Sequence, residues 1–469
     1  MENIGQLQDV LSYYECERVI PDIVSIELKN YGNKAWMKQH ELLTKLNMQA
    51  HINAMTRGEE YVMELLAVNN KLPIVLHELL ACECWKKKVM PFMTNELMSS
   101  GIKGYFAVFN EAVLANLMEV ILFHRTAIEG LGNYLVDLME YCYGKLSELI
   151  NKGNKQYPST TSTASSQIEQ YKNSYNKIEF EVQMTCISII RYITDNIKFV
   201  PLSAVSYLMN EKDFLLILVP LIESRPWTRD VDGKIEVWED NKFTQVTKSE
   251  YEKLTKTEGQ LWLAIYNLLF TEESANSYEI TDFRKNNLLR LRKYLKEVLI
   301  DQIPVLSHLR KTLDELTIMK VNNQAKSNIY VVKSVPELYQ QILDKYPMSE
   351  VIKYQKDVIF GNKTTDDDLE ILNNVTDVYS HQAVDMKPVE YICANCSLEA
   401  TKRCSRCKSV WYCSKECQVK HYKETHKYIC KKVAENSNKE GEQNIKLVET
   451  RPKENEKPKS ELIDYEELN

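Results

Sequence analysis

Between Cys393 and Cys430, 38 residues hold seven of the chain's 12 cysteines and two histidines, one of which, His426, continues the ligand spacing. They run Cys393-x2-Cys396, Cys404-x2-Cys407, Cys413-x3-Cys417 and His426-x3-Cys430. A segment this short and this charged has too little apolar material to make a core, so thiols and imidazole at such density call for a metal. Zinc takes four ligands of these types in a tetrahedron, and eight ligands make two closed sites. A closed site leaves no position for water or substrate, so the two zinc ions are expected to be structural. Their binding energy stands in for the missing core.

The rest of the composition sets bounds. A chain of 469 residues has room for roughly two to four domains and at least one large buried core. Glycine and proline are scarce, at 13 each, which suits long helices better than a glycine-rich β fold. The net charge of −7 argues against nucleic acid as the main partner, because phosphate binding needs a basic surface. The N-terminus, MENIGQLQDV, has neither a basic n-region nor an apolar h-region, so no secretory signal is expected. The apolar run Phe214 to Ile222 is far short of the roughly 20 residues that span a bilayer, so no membrane insertion is expected. The remaining cysteines, Cys16, Cys82, Cys84, Cys142 and Cys186, are scattered through helical patterns and read as free thiols of a reducing compartment.

The periodicity predicts a mainly α fold. From about residue 8 to 320 one apolar stripe follows another: Leu114, Leu117, Met118, Ile121 and Leu122; Leu261, Ala264, Ile265, Leu268 and Leu269; Val182, Cys186, Ile189, Ile190, Ile193 and Ile197; Leu288, Leu291, Leu295 and Leu299. Polar breaks fall at Asn69-Asn70, Gly101 to Gly104 and Gly130 to Asn133. Residues 1–320 are therefore expected to form a helical body, solenoid-like in the armadillo or HEAT manner, although no clean repeat period is visible. Two interruptions are expected inside it. Residues 151–168, rich in Ser and Thr, read as a flexible loop. Residues 224–246, alternating around Asp232-Gly233 and Asp240-Asn241, read as a small inserted β-hairpin. Residues 321–390 read as a helical connector, 391–431 as the zinc module, and 432–469 as a disordered, charged tail that cannot bury enough apolar surface to fold.

The ligand spacing, with Trp411-Tyr412-Cys413-Ser414 and Cys417-Gln418, resembles the MYND zinc finger. Fingers of that family interleave their ligands. The resemblance implies one zinc on Cys393, Cys396, Cys413 and Cys417, and a second on Cys404, Cys407, His426 and Cys430. Eight residues, Gln418 to Thr425, separate the sixth cysteine from the histidine, one more than the family usually has, so His421 is a rival ligand. His426-x3-Cys430 matches the family spacing and is preferred. MYND fingers generally bind short, often proline-containing peptides, which makes Gln418 and Trp411 candidate peptide-lining residues.

A wider resemblance runs from about residue 35 to 430. It is carried by Trp36, the Lys45 to Ala50 segment, Arg191-Tyr192-Ile193-Thr194-Asp195, Pro226-Trp227, Gly259-Gln260-Leu261-Trp262, Ala264-x-Tyr266-Asn267-Leu268-Leu269 and the Ala400 to Cys407 approach to the finger. These residues look like those of a MYND family of cytoplasmic factors for the pre-assembly of axonemal dynein arms in motile ciliated cells. The resemblance implies a leucine-rich-repeat partner, chaperones of the Hsp90 and immunophilin type, and axonemal dynein chains as clients. It also implies a cytoplasmic pool, concentrated at centriolar satellites, near the ciliary base or in dynein assembly particles. Two other classes compete. An enzyme of the SET-domain methyltransferase type would need an Asn-His pair, and none occurs; G-x-G-x-x-G and P-loop motifs are also missing. His40, His77 and His124 lie in helical patterns with no neighbouring nucleophile. A nuclear co-repressor adaptor would use the same finger, with Lys431-Lys432 as a weak import signal. The expectation is a non-enzymatic adaptor.

Overall fold

A computed structural model describes residues 9–56, 59–157, 167–251, 253–320, 335–361, 370–376, 393–396, 402–403 and 411–427. It divides into two compact units, residues 1–386 and 387–469.

The first unit is built mostly of helices. Its centre is the set Leu72–Lys88, Ile102–Leu122, Leu135–Lys152 and Gln167–Asp195. Lys34–Thr56 packs against the second of these and Lys256–Phe270 against the last. Leu114, Leu117, Met118, Ile121 and Leu122 are all fully buried, because a 3.6-residue period turns them toward one another's neighbours. The Ile102–Leu122 helix is long and apolar enough, from Lys103 on, to cross a membrane by length and composition, yet most of it is buried inside the fold. The breaks fall where polar and glycine residues allow the backbone to turn. Asn70 has φ of +53° just after the Tyr61–Val68 helix, and Gly132 has φ of +51° at the end of Arg125–Leu131. Both values lie in the left-handed region that Gly and Asn enter most cheaply.

Two expected elements differ. The stripe Leu288, Leu291, Leu295 and Leu299 is buried as expected, but it spans three pieces: Asp282–Leu289, a tight 3₁₀ turn Arg290–Lys293, and Glu297–Gln302. Lys296 sits in extended conformation and starts a new helix, so helical spacing survives across a chain that is not one helix. Residues 224–246 form three antiparallel strands rather than a hairpin: β1 Thr228–Val231, β2 Lys234–Glu239 and β3 Lys242–Gln245. Both turn signals are used. Asp232-Gly233 and Asp240-Asn241 each have positive φ at both positions, the requirement of a two-residue hairpin turn matched to strand twist. The sheet is anchored by Trp238, whose ring lies 5.0 Å from Phe180 and 5.3 Å from Tyr157, edge-on to both.

Part of the connector is built into the body rather than merely leading away from it. The Leu338–Asp344 helix packs on Leu72–Lys88, and the carboxylate of Asp137 accepts the N–H of Leu338 at 2.9 Å. Further on, Gln355 is fully buried; its Oε1 accepts from Trp85 Nε1 at 2.6 Å and its Nε2 donates to the Leu28 carbonyl at 2.8 Å. Phe360 fills the space beside Gly32, where φ is +87° and an added Cβ would lie 2.7 Å from the ring. The expected loop is described only to Tyr157, with a 3₁₀ turn at Gly153–Gln156. The remainder of 151–168 up to residue 166, and the tail at 432–469, lie outside the described residues.

Four charges sit at the centre of the four-helix set. Lys86 and Lys145 each face both Glu111 and Glu179, and all four side chains are almost completely buried. Lys86 reaches Glu111 at 2.5 Å, while Lys145 reaches Glu111 at 2.6 Å and Glu179 at 3.2 Å. Tyr141 donates its hydroxyl to Glu111 at 2.8 Å. Burial works against a charged amine, but the two carboxylates more than reverse it, so both lysines titrate well above their ordinary range. Each of the four helices supplies one member, which fixes their mutual register.

Candidate metal centre

The cysteine-rich segment 393–430 of the second unit is too short and too charged to fold on apolar contacts alone. Its described residues show how short pieces are pinned in place. Strands β4 Lys402–Arg403 and β5 Trp411–Tyr412 pair antiparallel, with Arg403 opposite Trp411 and Lys402 opposite Tyr412. Directly after β5, Ser414 caps the Lys415–His421 helix, accepting the N–H of Cys417 on its hydroxyl at 3.3 Å. That cap satisfies an otherwise orphaned donor and holds Cys417 in the first turn of the helix, over Cys413.

Cys393, Cys396, Cys413 and Cys417 come together so that their four sulfurs all lie within 4.8 Å of one another. Sγ of Cys413 is 3.5 Å from that of Cys396 and 3.5 Å from that of Cys417, and Cys417 is 3.8 Å from Cys396. A tetrahedron with Zn–S bonds of about 2.3 Å requires sulfurs about 3.8 Å apart, so the donor set fits zinc. Its chemistry agrees. Burial raises the Cys393 thiol, but backbone N–H groups of Cys413, Asn395 and Cys396 outweigh it and hold Cys393 at about 6. The neighbouring sulfurs of Cys396 and Cys417 push Cys413 up to about 12. A divalent cation held by such a set deprotonates every thiol that ligates it. Asn395 Nδ2 donates to the Cys417 sulfur at 3.4 Å, orienting a ligand from outside the set.

The other expected ligand set is described only at His426. Cys404, Cys407 and Cys430 lie outside the described residues. His426 is buried, and burial lowers its affinity for a proton, with His421 adding to the effect; a neutral imidazole is the form that binds metal. The rival His421 lies stacked on it, ring centroids 5.5 Å apart, and its Nδ1 is 2.9 Å from the hydroxyl of the buried Tyr412. Gln418 is half-buried on the finger helix, and Trp411 is placed by its backbone pairing in β5. Sequence reasoning gave no role to Asn395, used Ser414 only as part of the Trp411-Tyr412-Cys413-Ser414 motif, and did not foresee the contact between Tyr412 and His421. Only Ser414 carried a readable signal, a serine three residues before Cys417 at the start of a helix.

Three histidines of the body, His40, His77 and His124, take structural places. His40 Nδ1 is 2.7 Å from Asn110 Oδ1 and its ring stacks on Trp36. His77 lies beside Glu78, and His124 beside Glu60. The residues that carried the wider resemblance are also mostly interior. Trp36, Trp227 and Trp262 are buried. Gln49 accepts the N–H groups of Val10 and Leu11 and donates to Asn53. Asp195 pairs with Arg191 one turn back and accepts from Asn267 Nδ2 at 2.8 Å, joining two helices.

Residues 393–430 match the family described as MYND finger, so the second unit carries a MYND-type zinc-binding module. Along most of its length the chain is also similar to a curated relative. That relative is the zinc finger MYND domain-containing protein 10 homolog of Drosophila melanogaster, 26% identical over 443 residues covering 88% of this chain and 97% of the relative. Shorter matches are to ubiquitin C-terminal hydrolase 15 of Oryza sativa subsp. japonica, 46% identical over 52 residues (11% of this chain, 5% of the relative), and to ubiquitin carboxyl-terminal hydrolase 17 of Arabidopsis thaliana, 51% identical over 41 residues (9% and 6%). These leave nearly all of both hydrolases unmatched. No solved structure matches the chain.

Proposed function

We propose that this chain is a non-enzymatic adaptor, or co-chaperone, for the cytoplasmic pre-assembly of inner and outer axonemal dynein arms. The observation that carries the reading is the breadth of the match to the Drosophila MYND domain-containing protein 10 homolog, which takes in 97% of that protein rather than the finger alone. In this reading the helical body presents a long surface to a client or chaperone. The finger, held by two zinc ions on Cys393, Cys396, Cys413 and Cys417 and on Cys404, Cys407, His426 and Cys430, grips a second protein. Bound zinc supplies folding energy to a module without a core and no reactive position. Gln418 and Trp411 line the peptide surface. The partners are a leucine-rich-repeat assembly factor and Hsp90- and immunophilin-type chaperones, met in the cytoplasm near the ciliary base.

Co-precipitation from the cytoplasmic fraction of ciliated cells tests the division of labour. Cys404→Ala with Cys407→Ala removes two ligands of one site, and is expected to lose at least one of these partners while the body keeps its helical circular dichroism. Full retention of every partner by the double variant contradicts the adaptor role of the finger. A predominantly nuclear pool favours a co-repressor instead.

A further inference from the structure

The finger helix has an inner and an outer side. Cys417 faces the sulfur cluster, and His426 is buried one helical stretch later. Lys415, Val419 and Lys423 lie at i, i+4 and i+8 and are exposed, with Lys420 exposed beside them and Lys427 exposed at the end. Val419 is 45% exposed in the middle of this cationic stripe. Among the described residues no carboxylate pairs with any of these four lysines. Glu416 is exposed on the same turn, but among the described residues these four lysines are unpaired around one bare apolar side chain, a face whose chemistry asks for an acidic, apolar partner.

The same chain carries a segment of the opposite pattern. Residues 461–469 read Glu-Leu-Ile-Asp-Tyr-Glu-Glu-Leu-Asn: four carboxylates, four large apolar or aromatic side chains and no cation. Thirty-three residues separate Lys427 from Glu461, and a chain of that length spans up to about 110 Å when extended, so reach does not limit contact. Being tethered, the segment meets the finger at an effective concentration of the order of mM, enough to make weak complementary contacts count.

We infer that Glu461–Asn469 docks on the outer face of the finger helix, its carboxylates on Lys415, Lys420 and Lys423 and an apolar side chain on Val419. The tail is then an internal competitor for that face, and an acidic-apolar peptide of a partner protein must displace it to bind. This rests only on the finger and not on the dynein-arm reading.

The test uses a fluorescein-labelled synthetic peptide of residues 461–469 and zinc-loaded protein, followed by fluorescence anisotropy. Saturable binding is expected to the chain ending at Ser460, at least about tenfold weaker binding to the full chain, whose own segment occupies the face, and weakening as salt rises. Charge reversal in the shortened chain, K415E with K420E and K423E, should cost at least about tenfold, the scale of a few exposed ion pairs together. Zinc content measured alongside shows whether that variant keeps its finger. Should it lose zinc, a peptide carrying E461Q, D464N, E466Q and E467Q replaces it, with the same tenfold loss expected. No saturable binding to the shortened chain, equal binding to both chains, or indifference to the charge changes overturns the inference. So does protection of the full chain that appears only as its own concentration rises, which assigns the face to a second copy.

Discussion

Lys145→Met is expected to destabilise the helical body by about 3–5 kcal/mol, the cost of breaking a buried ion pair by removing one partner. Lys145 faces Glu111 at 2.6 Å and Glu179 at 3.2 Å, with all three almost wholly buried. Methionine matches the stem in volume, so little of the loss comes from a cavity. What remains is two carboxylates sharing one cation, Lys86, in a dry site. Urea unfolding should show a lower midpoint with an unchanged slope. Replacing all four members by apolar residues of similar size should cost much less than the single change, since no charge is then left stranded. A single variant as stable as the unsubstituted chain would mean that these residues are not paired in the interior.

Cys413→Ala is the second change with a large expected effect. The sulfur stands 3.5 Å from both Cys396 and Cys417, so its loss opens one corner of the tetrahedron. Structural zinc contributes of the order of 10–16 kcal/mol of apparent binding energy to modules of this type, and the finger has no apolar core to fall back on. Atomic absorption should find at least one zinc fewer per chain, and proteolysis should cut within 393–430 while the helical melt of residues 1–386 stays where it was. Unchanged zinc content would show that Cys413 is not a ligand.

The two expectations differ in how openly the sequence announced them. Cysteine spacing is a direct statement of chemistry, and Cys393, Cys396, Cys413 and Cys417 stand out before any fold is known. The buried quartet does not. Lys86 belongs to the run Lys86-Lys87-Lys88, which reads as a solvated helix end, and only tertiary packing turns the first of the three inward while Lys87 and Lys88 stay outside. Apolar stripes such as Leu114 to Leu122 were legible because a single period governs them. The Leu288 to Leu299 stripe misled about continuity, since burial at helical spacing does not require an unbroken helix. The first hairpin turn was likewise in view at Asp232-Gly233, yet counting strands needs the pairing partner of Thr228–Val231, a local run without strong alternation. Return of the connector onto the N-terminal helices depends on Gln355 and Phe360 meeting Trp85 and Gly32, contacts more than 250 residues apart in sequence. Periodicity carries no information at that range.

Depletion of the protein from motile ciliated cells, with electron microscopy of the axonemes and quantification of axonemal dynein-arm heavy chains in the cytoplasm, tests the central claim most directly. An adaptor for arm pre-assembly predicts axonemes without dynein arms and heavy chains that are unstable in the cytoplasm, both restored by the unsubstituted chain and not by the Cys404→Ala, Cys407→Ala variant. Normal arms and normal heavy-chain levels after depletion would contradict it.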